Sequence, residues 1–109
     1  MLEDLFGSQT AAKCLIYLAA QSEGYPLEIA KSFGISNTQV LRTLYRLEQA
    51  DILVGKNSGR TRLYSLNSSW YLSQELSRLL AKALTQIPMD QQEMYFMRRR
   101  RPRKKNKKI

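Results

Sequence analysis

The sequence contains no histidine and one cysteine, Cys14. Without histidine there can be no His-based catalytic triad and no Cys–His nucleophilic pair, and the two shortages together remove most zinc sites. A single cysteine cannot close an internal disulfide, which suits a reducing cytoplasm. No apolar run is long enough to cross a bilayer. The start, MLEDLFG, is acidic and is followed by no signal-type apolar stretch, so export is not expected. Paired carboxylates suited to acid–base work and phosphate-cradling glycine loops are also missing, so neither an enzyme nor a bound cofactor is expected. The remaining shortage is local. Acids are absent between Glu28 and Glu48, from 52 to 66, and from 98 to 109.

What is present fits one small domain with a charged extension. The chain has 109 residues, of which 43% are hydrophobic and 25% charged, and its net charge is +9. Residues 98–109, RRRRPRKKNKKI, hold nine of the 18 bases: Arg98, Arg99, Arg100, Arg101, Arg103, Lys104, Lys105, Lys107 and Lys108. The other nine bases face all nine acids, so residues 1–97 are neutral as a whole. The division expected is a domain over 1–87, then a linker and disordered basic tail over 88–109, because charges this dense repel one another and cannot pack. A polyanion is the natural partner, nucleic acid before membrane.

The periodicities predict four helices and a hairpin. Ser8 can cap a helix over 8–21, with Ala11, Cys14, Leu15 and Leu18 on one buried face. Cys14 on that face reads as a small buried thiol rather than a redox sensor. Residues 22–25 read as a loop. Pro26 fits a first helical position and Gly34 a left-handed stop, giving a short helix over 26–33. Ser36 caps a third helix over 36–49. Ile52, Leu53 and Val54 start a strand, Asn57-Ser58-Gly59 turns it, and the chain returns to Leu66, giving a hairpin over 52–66 with a basic tip at 55–62. Ser68 or Ser69 caps a last helix over 69–86, which Pro88 follows. The fold class expected is α+β, mainly helical with one small β-hairpin.

The third helix is the informative one. Val40, Leu44 and Leu47 anchor it, which leaves Asn37, Thr38, Gln39, Arg42, Thr43 and Arg46 assigned to an outward side without acids. The major groove of B-DNA admits one helix and offers base edges that Arg, Asn, Gln and Thr can pair with. Two arginines on a solvated face are ordinary by themselves. Beside a second cationic element, the hairpin with Lys56, Arg60 and Arg62, they point to duplex DNA.

The stretches LFGSQTAAKCLIYLA, PLEIAKSFGISNTQVLRTLYRLEQADILV and GRTRLYSLN carry a resemblance over roughly residues 5–86. In this order they resemble the winged helix-turn-helix family, and most closely its arsenic-repressor-like (ArsR-type) regulators. The resemblance implies a sequence-specific, double-stranded-DNA-binding transcriptional regulator. Asn37, Thr38, Gln39, Arg42 and Arg46 would read the major groove, and Lys56, Arg60 and Arg62 would form the wing contacts. Leu41 stands where relatives often carry a small polar residue, which leaves open a contact with a thymine methyl or a different register of base contacts. Tyr45 reads as covering the core edge rather than stacking under the DNA backbone, the other role open to it. The metal ligands of the metal-responsive members are missing. In this family the terminal helices often pair subunits, so Leu72, Leu76, Leu79, Leu80, Ala83 and Leu84 are assigned to a homodimer interface. A cytoplasmic, nucleoid-associated location follows from that role. Three other readings stand beside it: a plasmid or viral replication or partition factor, an RNA binder, and a winged helix serving protein interaction.

Overall fold

The computed structural model describes residues 2–88, in the order α1 Glu3–Phe6, α2 Gln9–Gln21, β1 Glu23–Gly24, α3 Pro26–Phe33, α4 Asn37–Gln49, β2 Leu53–Ser58, β3 Thr61–Leu66 and α5 Ser73–Leu84. The basic tail lies outside the described residues, and so does most of the segment expected to link it to the domain.

Helix α2 is the hub. Ser8 accepts the Ala11 N–H at 3.1 Å and sets its start. Ala12, Ile16 and Tyr17 are buried as well as the expected Ala11, Cys14, Leu15 and Leu18, so the helix is covered on more than one face. Its neighbours are α1, α3, α4, α5 and two strands. A helix apolar around most of its circumference has to be central, because every exposed turn would leave apolar area in water. Cys14 is fully buried, and burial pushes its thiol up to about 12, which makes it an inert packing group.

The helix-turn-helix forms where the punctuation predicts. Pro26 occupies the first turn of α3, and the Glu28 carboxylate accepts the Tyr25 N–H at 3.3 Å. Gly34 ends α3 at φ 67°, and the Ile35 N–H returns to the Ala30 carbonyl at 3.0 Å. This is the left-handed stop that lets the chain reverse into α4. Ser36 then accepts the Gln39 N–H at 3.3 Å and caps α4.

The sheet is antiparallel with order β1-β3-β2. Its hairpin closes between Ser58 and Thr61 through Gly59-Arg60, with Gly59 at φ 66°. A positive φ at the first position of a two-residue loop matches the twist of the strands. Strand β1 falls in the segment expected to be a loop. It pairs Glu23 with Ser65 and Gly24 with Tyr64. Gly24 makes this possible: a Cβ there would sit 2.6 Å from a ring carbon of buried Tyr17.

The last helix starts later than expected. Ser69 does not cap it, because Asn67 takes over the local hydrogen bonds. Its side-chain oxygen accepts the Ser69 N–H at 3.0 Å, and its carbonyl accepts the Trp70 N–H at 3.1 Å. This Asx turn holds the chain out of helix until Ser73. At the other end the Thr85 hydroxyl donates to the Lys82 carbonyl at 2.6 Å as α5 finishes.

Candidate nucleic-acid interface

Helix α4 faces two ways. Val40, Thr43, Leu44 and Leu47 are buried. Asn37, Thr38, Gln39, Arg42 and Arg46 are exposed. Thr43 is therefore a correction to the sequence reading. At 6% exposure it belongs to the inward stripe, three residues after Val40 and four before Leu47, and cannot meet a base edge. Tyr45 is a second correction. It is 62% exposed and does not cover the core edge. With about 100° per residue, the outward centre of the helix runs through Thr38, Arg42 and Tyr45, with Leu41 on one flank and Arg46 on the other.

The wing stands beside this face with its three cations in two different states. Lys56 and Arg60 are exposed, and Arg60 is the second residue of the hairpin loop. Arg62 is engaged. Its Nη2 lies 2.5 Å from Glu48 Oε2, its Nε donates to Glu48 Oε1 at 3.4 Å, and its Nη1 donates to Asn57 Oδ1 at 3.0 Å. The hydrogen bond to Glu48 is the main reason that the Arg62 guanidinium pKa is raised above its ordinary value. Arg62 therefore ties the wing to the end of α4 and is not presented as an open cation like the other two. Two arms of one guanidinium on one carboxylate also fix an angle, which a lysine could not do.

Two further features support this brace. A Cβ on Gly55 would meet Arg62 Nε at 2.6 Å, so the glycine leaves the channel through which Arg62 crosses to α4. On the other side of the wing, the Tyr25 hydroxyl and the Ser58 hydroxyl are 3.1 Å apart and hydrogen-bonded. The sequence reading missed both contacts. Their partners lie 14 and 33 positions apart, and local periodicity carries no signal at that range.

Helix α5 divides its stripe. Leu80 and Ala83 are buried, and the helix packs on α2, so these two are not available to a second subunit. Leu72 and Leu79 are exposed, and Leu76 and Leu84 are half-buried. Among the described residues no group of three or more His, Cys, Asp or Glu is placed to hold a metal, and no helix is long and apolar enough to cross a membrane.

No protein-family model matches the chain, and no curated protein matches it. Several solved structures do. A MarR-family transcriptional regulator from a Rhodococcus species superposes with TM-score 0.59 at 16% identity, covering 87% of this chain and 79% of that one. The adhesin competence repressor AdcR of Streptococcus pyogenes gives 0.56 at 17% identity, covering 85% and 78%. A mutant of Lactococcus lactis ZitR gives 0.56 at 22% identity, covering 72% of this chain but only about half, 51%, of the ZitR chain. At such identities the likeness is one of fold. The helix-turn-helix of α3 and α4, the β2–β3 wing beside it and the closing α5 together make this chain a winged helix-turn-helix.

Proposed function

We propose that the protein is a sequence-specific double-stranded-DNA-binding transcriptional regulator. Helix α4 enters the major groove, where Arg42, Arg46, Asn37, Thr38 and Gln39 meet base edges and adjoining phosphates. Lys56 and Arg60 hold the backbone beside it, and Arg62 sets the angle of the wing. The basic tail, Arg98 to Lys108, adds sequence-independent phosphate contacts. The exposed Leu72, just ahead of α5, and Leu79 on it, with half-buried Leu76 between them, pair two copies, so that two readers meet a two-fold symmetric site. The reaction is binding alone and needs no metal or cofactor. The ArsR-type assignment rests on the quoted sequence stretches, whereas the matching structures include one named as MarR-family.

One observation carries this reading: α4 exposes Arg42 and Arg46 on a face with no carboxylate from Asn37 to Leu47, and the wing that Arg62 ties to the end of this helix exposes Lys56 and Arg60. On a purely solvated surface charges of both signs are interspersed. The test is selection of bound duplexes from a random pool at two salt concentrations. A two-fold symmetric motif, with affinity falling steeply as salt rises, is the expected result. Equal binding of all duplexes, or none at modest salt, counts against the proposal.

A further inference from the structure

The polar reading face of α4 contains two large side chains that do not fit a polar reading. Leu41 is 45% exposed and Tyr45 is 62% exposed. They stand at i and i+4, so they are neighbours one turn apart on the same side of the helix. They flank Thr38 and Arg42, two of the residues assigned to base edges, and no acid lies near them in the helix until Glu48, which is engaged by Arg62. The core does not require Leu41, since Val40, Thr43, Leu44 and Leu47 already form the inward stripe.

The major groove displays one apolar group, the C5-methyl of thymine, which 5-methylcytosine shares. Building on the DNA-binding reading above, we propose that Leu41 is a specificity-determining residue that packs on a pyrimidine C5-methyl, with Tyr45 extending the apolar contact. Arg42 and Thr38 fix the helix in the groove, and Leu41 then rewards a methyl at one position of the site. Cationic flanks select this occupant over an apolar protein surface, because Arg42 and Arg46 would lose water there without gaining an anion.

The probe is the preferred duplex from the pool selection, with each thymine replaced in turn by deoxyuridine. This removes the methyl and leaves every hydrogen-bonding group in place. The native chain is expected to lose about fourfold in affinity at one position per half-site, the worth of burying one methyl group. The same loss should be recovered when a cytosine at that position is replaced by 5-methylcytosine, measured against cytosine. Leu41→Ala should bind the thymine and deoxyuridine duplexes equally, while Leu41→Met keeps the preference. Leu41 is exposed, so these variants retain the fold, and circular dichroism checks this. If the native chain has a preferred site but ignores every thymine-to-deoxyuridine change, or if Leu41→Ala keeps the discrimination, this inference is overturned and the DNA-binding reading stands. If no duplex is preferred, both fall.

Discussion

Arg62 on β3 and Glu48 on the last turn of α4 meet with Nη2 and Oε2 2.5 Å apart, and the arginine crosses Gly55 of β2 to get there. The contact links the two elements that would reach a ligand together. Removing either partner should loosen the wing without unfolding the helices. Amide exchange of residues 53–66 is expected to quicken in Arg62→Ala and in Glu48→Ala. The double variant should be no worse than either alone, the signature of one shared interaction. Unchanged protection in both single variants would show that the strands hold the wing unaided.

Arg42 and Thr43 are neighbours in sequence with opposite expectations. Arg42→Ala should cost about 1–3 kcal/mol of binding to the preferred site and relax one base position, with thermal stability unchanged. Thr43→Ala should leave base preference intact and lower folding stability by about 1 kcal/mol, through lost packing on the inward stripe. Binding titrations and chemical denaturation on the same samples separate the two. A base-preference change in Thr43→Ala would contradict its burial.

Gly24→Ala places a methyl against the Tyr17 ring at 2.6 Å, in a core position that has little room to yield. The expected loss is about 1–3 kcal/mol in urea denaturation. A variant as stable as the native chain would mean that β1 can lift off Tyr17 without penalty.

Cys14 gives a pH prediction. Its folded-state pKa is raised to about 12 from an ordinary value of 9.0, because burial disfavours the thiolate. Above the ordinary value the unfolded chain loses this proton while the folded chain keeps it. The contribution is therefore intact below pH 9 and is lost as pH rises towards 12. Cys14→Ala should flatten that alkaline decline. Thiol-reactive dye should label the native chain at the unfolding rate only, and rapid labelling at pH 8 would sink the assignment.

The sequence carried the helix-turn-helix because its boundaries are local chemistry. Pro26, Gly34 and Ser36 each act on their own backbone, so α3 and α4 fall where those residues put them. The misreadings have a common cause in longer-range or competing bonds. Ser69 is a good cap in isolation, but Asn67 accepts the N–H of Ser69 itself and holds that residue in a turn ahead of the helix. Strand β1 is two residues long, too short for any periodicity, and exists because β3 offers it an edge. Thr43 could have been placed correctly, since positions 40, 43, 44 and 47 are one helical stripe and its polarity outweighed its spacing. The broad apolar stripe of α5 could not be divided from sequence, since which half faces α2 depends on how the two helices are packed.

The wing is pinned on one side by Arg62 to α4 and on the other by Ser58 to Tyr25, just ahead of α3. The wing is thus tied at two points to the helix-turn-helix, and if it reads DNA it would act as one stiff hand. A stiff hand surrenders little conformational freedom when it closes on a surface, so more of each contact survives as net affinity. In the proposed DNA-binding role, the same ties would make the distance between helix and wing a fixed ruler, intolerant of a groove that is too wide or too narrow.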